Sequence, residues 1–326
     1  MKVKNNKLKI AMKRIIFILF IYVVTACNHQ ADSYLKKVPE IAESATNFII
    51  ANDSGRNGYY EQKNIAAIMG ETAEKCDIEF IAAAGDVHHF MGVNSVNDPL
   101  WMTNYELIYS HPELMIKWYA ICGNHEYRGN TQAVLDYSNV SRRWIAPSKY
   151  YTFTETSDDG TPFRLLFIDT TPLIDRYRKD TTGYPDAGKQ DMELQLQWID
   201  SVLTSATEKW KIVIGHHPVY ADTDKKDSER SDLQQRLAPI LEKHKVDAYF
   251  CGHIHNYQHI HPATSHVHYI VNSSASLARE VKAMPDTKFC SSDAGFTFCS
   301  LTKDAFSFFF INHLGEIIYQ YKLTKE

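Results

Sequence analysis

The sequence predicts an α/β fold in which two stacked sheets lie between outer helices within one domain. Short apolar segments typical of buried strands alternate with helical segments from residue 46 to residue 250. Segments typical of strands then accumulate from residue 266 to the end of the chain. The composition, 44% hydrophobic and 23% charged over 326 residues, is that of a globular protein with ample length for one large domain.

Apolar periodicity and turn residues divide the chain into predicted elements. Strands are predicted at residues 47–51, 79–84, 115–122, 148–155, 163–169, 211–214, 247–250, 268–271, 296–301, 306–311 and 317–323. Helices are predicted at 60–76, 99–110, 189–203 and 231–244, with a polar loop at 221–230. The helix at 189–203 has an apolar stripe formed by Leu194, Trp198, Ile199, Val202 and Leu203.

The first 26 residues have the pattern of a secretory signal peptide. They contain six basic and no acidic residues, and their apolar run at 15–24 is shorter than the roughly 20 residues that a membrane-spanning helix needs. Without this segment the chain has 29 basic and 39 acidic residues. We therefore expect no nucleic-acid partner, because so acidic a protein is repelled by phosphate backbones.

The residues Val24-Thr-Ala-Cys27 resemble the lipobox of bacterial lipoproteins. The resemblance implies cleavage before Cys27, a lipid on this cysteine, and an exported protein that is anchored to a membrane and faces the periplasm or the cell surface. Residues 27–46 would form the lipid-anchored tether, and residues 47–326 a single folded domain. A plain secreted protein, in which Cys27 has no special role, is the alternative.

Five predicted strands end in residues that can bind a metal ion. These residues are Asp53, Asp86, Asn124 with His125, His216, and His253 with His255. Sheets of α/β proteins build their sites at the carboxyl ends of strands, and imidazole and carboxylate groups hold zinc and iron. Two metals about 3.5–4 Å apart can clamp the attacking and leaving oxygens of a displacement at phosphorus. The sequence therefore predicts a two-metal site with Asp86 between the metals.

Four longer motifs indicate a family. They are Gly123-Asn-His-Glu-Tyr-Arg-Gly129, Ser141-Arg-Arg-Trp-Ile-Ala-Pro147, Gly215-His-His-Pro-Val-Tyr220 and Gly252-His-Ile-His-Asn-Tyr-Gln258. With them the chain resembles the calcineurin-like metallophosphoesterases over about residues 47–325, and within these the purple or tartrate-resistant acid phosphatases. The resemblance implies a four-layer αββα sandwich, with two mixed sheets flanked by helices, around a dinuclear centre.

The resemblance also implies roles for individual residues. The first metal would take Asp53, Asp86, His89 and His255, and the second would take Asp86, Asn124, His216 and His253. Asn124 and His125 would bind the substrate, and His125 would protonate the leaving alkoxide after attack by a metal-bound hydroxide. The two metals would be iron with zinc, manganese or a second iron.

The chain departs from the purple acid phosphatases at three places. It has Asn52 where the family usually has glycine, and His89 where purple members have a tyrosine that binds ferric iron. A neutral imidazole donates less charge than a phenolate, so we expect a colourless enzyme. The loop after Pro218 lacks a further histidine known from animal members, and a lysine at 225 or 226 could bind phosphate instead. His88 is the rival of His89, and His217 is read as structural.

These features predict metal-dependent hydrolysis of phosphate monoesters. A phosphodiesterase acting on nucleotides or lipid head groups is one alternative, and a lipid-anchored binding protein with a decayed site is another. The expected partners are a small phosphorylated substrate and a membrane reached through the lipidated N-terminus, and the protein is expected to be a monomer. A disulfide between Cys290 and Cys299 is left open.

Overall fold

The computed structural model describes residues 33–325. The predicted signal peptide and the lipid attachment site at Cys27 lie outside these residues. A compact domain begins at Tyr34: Leu35 is buried, and the backbone N–H of Lys36 donates to the carbonyl of Gly315 at 2.8 Å. The later part of the segment expected as a tether therefore packs against the domain. Within residues 33–325 no helix combines the length and apolar character needed to cross a bilayer.

The strands are numbered in chain order. They are β1 Thr46–Ala51, β2 Ile78–Ala83, β3 Lys117–Ala120, β4 Trp144–Ile145, β5 Tyr151–Thr156, β6 Pro162–Phe167, β7 Trp210–Ile214, β8 Ala248–Cys251, β9 Tyr257–Ile260, β10 His268–Val271, β11 Thr287–Ser291, β12 Gly295–Leu301, β13 Ala305–Asn312 and β14 Ile317–Thr324. Eleven of these strands agree in their first and last residues with the predicted strands to within a few residues. The other three, β4, β9 and β11, were not predicted.

The α-helices are α1 Gln62–Cys76, α2 Thr131–Asp136, α3 Asp175–Lys179, α4 Met192–Ser205, α5 Asp227–Arg236 and α6 Ala238–Lys243. Shorter helical turns occur at Met102–Glu106, Pro112–Leu114, Glu126–Arg128, Tyr137–Asn139, Thr171–Leu173 and Ala187–Lys189. Side-chain caps start two of the helices, because Asn130 accepts from the backbone N–H groups of Gln132 and Ala133 in α2, and Asp191 accepts from that of Leu194 in α4.

The strands form two seven-stranded sheets, each of mixed direction. The first has the order β14-β13-β12-β1-β2-β3-β4, and the second has the order β11-β9-β10-β8-β7-β6-β5. Strands β1 to β4 are parallel in the first sheet, as are β6, β7, β8 and β10 in the second. The remaining pairs are antiparallel.

Alternating side chains place one core between the sheets and another beneath the helices. In β1, Phe48 and Ile50 pack in the inner core with residues of the second sheet such as Phe250. Ile49 and Ala51, which point the other way, pack in the outer core with residues of α1. The order of layers is therefore helix, sheet, sheet, helix, which confirms the predicted sandwich.

The structure corrects four local predictions. The helix expected at 99–110 is a single π-helical turn at Met102–Glu106. The helix expected at 231–244 is two helices, α5 and α6, because Pro239 has no N–H for the carbonyl one turn earlier. The first of these begins at Asp227, inside the segment predicted as a polar loop. In α4, Leu194 is exposed and Leu196 takes its place in the buried face.

The two cysteines considered for a disulfide are free thiols in different sheets. Cys290 is in β11 of the second sheet, and Cys299 is buried in β12 of the first. The hairpin on which the pairing depended does not form, because β11 and β12 are not hydrogen-bonded neighbours.

Candidate metal centre

Parallel strands bring the predicted ligands to one end of both sheets. The ligands are Asp53 after β1, Asp86 after β2, Asn124 after β3, His216 after β7, and His253 and His255 after β8. Four of them have left-handed backbones, with φ of 51° at Asp53, 53° at Asp86, 73° at His253 and 61° at His255. Such conformations cost about 1–3 kcal/mol each and cluster at functional sites, where they aim side chains that regular structure could not aim.

One group of buried side chains consists of Asp53, His89 and His255, whose ligand atoms lie within 4.8 Å of one another. The Nε2 atom of His255 lies 3.2 Å from Asp53 Oδ1, and its Nδ1 lies 2.9 Å from the carbonyl of Leu277. A carbonyl can only accept, so Nδ1 carries the proton and the lone pair of Nε2 faces the group. His89 Nε2 lies 3.6 Å from Asp86 Oδ2, which links this group to the next.

The second group is built on Asp86 and His216, with His216 Nε2 3.1 Å from Asp86 Oδ2. His216 Nδ1 donates to the carbonyl of Ala84 at 2.8 Å, so this imidazole also presents Nε2. Asn124 and His253 are buried, and the ring centre of His253 lies 5.3 Å from that of His216. Asp86 thus adjoins both groups, at the position that the sequence predicts for the bridging carboxylate.

Several buried polar atoms have no hydrogen-bond partner among residues 33–325. They include both ring nitrogens of His89, Oδ1 of Asn124 and Nδ1 of His253. An unsatisfied buried polar atom is costly in a folded protein. Nitrogen and oxygen lone pairs converging on buried carboxylates are a donor set that suits divalent or trivalent metal ions. The residues present therefore fit a pair of metals.

The absence of a side chain at two glycines provides the space that Asp86 and Asp53 occupy. A Cβ atom at Gly123 would lie 2.2 Å from Asp86 Oδ1, and one at Gly252 would lie 2.4 Å from Asp53 Oδ2. Both contacts are far shorter than atoms allow. Glycine immediately before Asn124 and His253 is therefore needed for the two buried carboxylates to reach the centre.

The buried carboxylates of the site need positive charge beside them. Burial opposes ionisation of Asp86, but His216 and His125 outweigh it and hold the pKa of this carboxyl well below its usual value. Burial likewise opposes protonation of His216, yet Asp86 and Asp53 raise its pKa to about 10. Two ionised carboxylates in a buried site need a cation or a proton beside them.

His125 lies at the open side of the centre. Its backbone N–H donates to Asp86 Oδ1 at 2.8 Å, and its Nδ1 donates to the carbonyl of Phe90 at 2.7 Å. Its Nε2 lies 3.8 Å from Asp86 Oδ2, and its side chain is 14% exposed, whereas those of His89 and His216 are at most 1% exposed. Burial lowers the pKa of His125, and Asp86 and the Phe90 carbonyl partly offset this. His125 can therefore meet a substrate while it borders the ligands.

Glu126, for which the sequence suggested no role, holds the ligand loops together. Its carboxylate accepts from the backbone N–H groups of Asp86, His88 and Gly123 at 2.8, 3.0 and 2.7 Å. One buried side chain thus joins the segment after β2 to the segment after β3. The fourth residue of the Gly-Asn-His-Glu motif is therefore structural.

His88 and His217 differ as candidates for additional metal ligands. His88 packs edge-on against Trp101 at 4.4 Å and belongs to neither group, so the geometry favours His89. His217 lies within 4.8 Å of His216 and His253, and its Nε2 has no partner in the described chain. Thr170 Oγ1 already accepts from two backbone N–H groups, so its hydroxyl donates to His217 Nδ1 at 2.8 Å. This leaves the proton of His217 on Nε2.

Glu229, placed by the sequence in a polar loop, is buried against His253. Its Oε2 lies 3.0 Å from His253 Nε2, while its Oε1 accepts from Arg176 and from the hydroxyl of Tyr177. A carboxylate on Nε2 keeps the proton there, so the lone pair of His253 is on Nδ1, the unpartnered atom. Sequence position alone could not reveal this contact, because Glu229 reaches the centre only when α5 packs beside it.

Buried carboxylates and imidazoles at the ends of parallel strands in two facing sheets define a dinuclear metallohydrolase. The model of the calcineurin-like phosphoesterase family matches residues 23–257, and the chain belongs to this family. Among its relatives, purple acid phosphatase 4 of Arabidopsis thaliana is 31% identical over 296 residues, which cover 87% of this chain and 85% of the relative. The human tartrate-resistant acid phosphatase type 5 is 30% identical over 236 residues, covering 68% and 72% of the two chains.

Solved structures support the fold. GAP50, described as the anchor in the inner membrane complex of Plasmodium, superposes with a TM-score of 0.74 at 24% identity over 87% of this chain and 90% of its own. The purple acid phosphatase PPD1 from yellow lupin superposes with a TM-score of 0.63 at 14% identity over 88% and 55%. The family match and the acid phosphatase relatives, rather than these structures, show that the chain is a phosphoric ester hydrolase of a family with a dinuclear metal centre.

Proposed function

We propose that the protein hydrolyses phosphate monoesters of small molecules at a centre that holds two metal ions. The observation that carries the proposal is the position of Asp86 between the group of Asp53, His89 and His255 and the group of His216 and His253. Among the residues proposed for the metal centre, all of which lie in the described part of the chain, His125 is the most exposed, at 14% of its side chain, and the others are buried. Such a centre accommodates a terminal phosphoryl group.

The free lone pairs support the ligand assignment that the family resemblance implies. Asp53, Asp86, His89 and His255 would hold the first metal, and Asp86, Asn124, His216 and His253 the second. When bound, the two metals would polarise the phosphoryl oxygens and lower the pKa of a coordinated water toward neutrality. Iron with zinc, manganese or a second iron is the proposed pair, and His89 in place of a phenolate would leave the iron form without strong colour.

The chain's own residues would orient the ester and supply the proton. His125 is held by two hydrogen bonds, through its backbone N–H and through Nδ1, so Nε2 is the atom that can face a leaving oxygen. In the imidazolium form of His125, which carries a second proton on Nε2, this proton would pass to the leaving oxygen as the bond from that oxygen to phosphorus breaks, and neutral His125 would remain. His217, whose Nε2–H is unpartnered, would donate a hydrogen bond to the phosphate rather than bind a metal.

Lys225 supports a further part of the phosphate site. Burial and the neighbouring Arg279 lower its pKa, while Glu229, Asp86 and Asp53 act in the opposite direction. The ammonium group of Lys225 therefore interacts electrostatically with Asp86 and Asp53, the two carboxylates of the centre. Lys225 is also partly buried whereas Lys226 is exposed, and we therefore propose Lys225 for the phosphate-binding role that the absence of a further histidine after Pro218 leaves to a lysine.

The test compares hydrolysis of a monoester and its matched diester after removal of the metals. The purified chain is stripped with chelator, reloaded with iron, zinc or manganese, and assayed on both chromogenic esters. Monoester turnover that returns only with metal is the expected result. Preference for the diester would instead indicate a phosphodiesterase, and bound metals without any turnover would indicate a binding protein.

An Asp86→Ala variant tests the two-metal assignment directly. Because Asp86 adjoins both groups of ligands, its loss should remove both metals and abolish activity. Metal content measured on the purified variant reports this result independently of turnover. A variant that retained two metals and full activity would refute the bridging role.

Attachment to a membrane through Cys27 is proposed separately and rests on the sequence alone. A Cys27→Ala variant should appear in the soluble fraction of the producing cell, whereas the unaltered protein should sediment with membranes. Equal partition of both proteins would favour the plain secreted form. The same fractionation, followed by measurement of native mass, tests the expectation of a monomer.

A further inference from the structure

A cavity of about 450 Å³ opens beside the metal centre and is lined largely by aromatic side chains. Its lining includes Arg56, Tyr59, Tyr60, His89 and Phe90. His89 belongs to the first group of ligands, so the cavity and the centre share a wall. The reaction described above uses none of the side chains of the other four residues.

The aromatic lining is unusually exposed for side chains of this size. Tyr59 is 72% exposed, and Tyr60 and Phe90 are each 63% exposed. Tyr60 also has a left-handed backbone with φ of 54°, which is costly for a bulky residue. Exposed aromatic rings held by a strained turn at the edge of a site are typical of a surface that binds a ligand.

Arg56 gives this cavity a buried polar group. It is only 7% exposed, its guanidinium lies 4.7 Å from the centre of the Phe90 ring, and its Nε has no hydrogen-bond partner in the described chain. A donor that is buried and unpaired costs free energy unless a ligand accepts from it. The cavity thus combines flat apolar faces with one unused donor.

The position of Phe90 identifies which part of the substrate reaches the cavity. Its carbonyl accepts from His125 Nδ1, and its ring centre lies 6.0 Å from that of His125 and 6.0 Å from that of His89. If His125 protonates the leaving oxygen, the group attached to this oxygen must lie next to His125. Phe90 lies beside the expected position of this leaving group.

We propose that the cavity is the subsite for the leaving group and that it binds a planar aromatic ring, either a simple aryl group or a nucleobase. The ring would stack on the exposed tyrosines and Phe90, and an acceptor on a nucleobase would approach the guanidinium group of Arg56. This inference rests on the proposed phosphomonoesterase function and names its substrate class.

The test uses ligand pairs that differ only by the ring. The first pair is benzylphosphonate and ethylphosphonate, which have no ester bond to cleave, so their binding to the metal-loaded protein is measured by calorimetry. The second pair is AMP and ribose 5-phosphate. In both, the leaving oxygen is the 5′ oxygen of a ribose, and their kcat/KM values are compared. Preference for the ring in the first pair indicates an aryl site, and preference only in the second indicates a nucleobase site.

The substitutions are made at Tyr59, whose ring is the most exposed of the aromatic rings that line the cavity. Tyr59→Ala should lower the ring preference about fivefold to tenfold, as expected for the loss of one aromatic stacking partner. Tyr59→Phe keeps the ring and should retain the preference. Leu314→Ala shortens an apolar side chain that is 50% exposed in the turn between β13 and β14, and it serves as the matched control.

Failure of the subsite and failure of the reaction give different results. Hydrolysis of AMP and ribose 5-phosphate at equal efficiency, with equal binding of the two phosphonates, would overturn the aromatic subsite and retain the phosphatase. Binding that favours the ring and weakens in Tyr59→Ala, without hydrolysis of either ester, would retain the subsite and overturn the proposed function. A ring preference unchanged in Tyr59→Ala and Phe90→Leu would also overturn the subsite.

Discussion

Replacing Glu229 with glutamine should weaken the second metal site, although Glu229 is not proposed to touch the metal. The carboxylate serves three donors, since Oε2 faces His253 Nε2 and Oε1 accepts from Arg176 and Tyr177. An amide has only one oxygen. If this oxygen stays with the two donors on the Oε1 side, the amide NH2 group faces His253 Nε2.

The consequence for His253 follows from the proton on its ring. An NH2 group facing Nε2 favours the form in which Nε2 accepts and Nδ1 carries the proton. Nδ1 then has no lone pair for a metal. Both side chains are 2% exposed, so water does not relieve the mismatch. One unsatisfied buried donor costs about 1–3 kcal/mol, in line with the roughly 10–100-fold loss of metal affinity typical of such substitutions.

The assay is competition for zinc or manganese between the protein and a chromophoric chelator, with kcat measured at rising metal concentration. The second metal should bind about 10–100-fold more weakly, and excess metal should restore much of kcat. Asp227→Asn is the matched control, because it removes one negative charge from the same helix at a side chain that is 94% exposed. Equal metal affinity in Glu229→Gln and Asp227→Asn would refute the role of Glu229.

Three further predictions concern single residues. His125→Ala should retain both metals and lose about 10²–10⁴-fold in kcat; loss of metal, measured alongside, would make His125 a ligand. His89→Tyr should give the iron-loaded protein an intense visible band, and a colourless variant would argue against a metal at residue 89. Burial, partly offset by Lys149 and Tyr127, raises the pKa of Asp169 from 3.8 to about 6. The folded state therefore loses stability as pH rises through this window, by about 3 kcal/mol in all. Asp169→Asn should accordingly raise Tm more at pH 7.5 than at pH 4, and an equal change at both would contradict the assigned pKa.

The sequence alone predicted two stacked sheets with outer helices and the candidate ligands that follow strands. In β1 the run from Phe48 to Ala51 is apolar throughout, as expected for a strand buried on both faces, and its side chains alternate between the two cores. Asp53 and Asp86 are visible in the sequence, because each stands directly after such a run. Parallel strands end at the same edge of a sheet, so local order along the chain is enough to predict that these side chains meet.

The tertiary structure decided everything that depends on contacts between distant segments. A polar composition at residues 221–230 predicted a polar loop, yet Glu229 lies in a helix and is buried because α5 packs against the centre. Arg56 and Phe90 likewise meet only in the folded chain. A ligand at a strand end is placed by the backbone that carries it. A residue that orients the ligand, or that shapes the cavity beside it, is placed by packing between elements, which no pattern along the chain records.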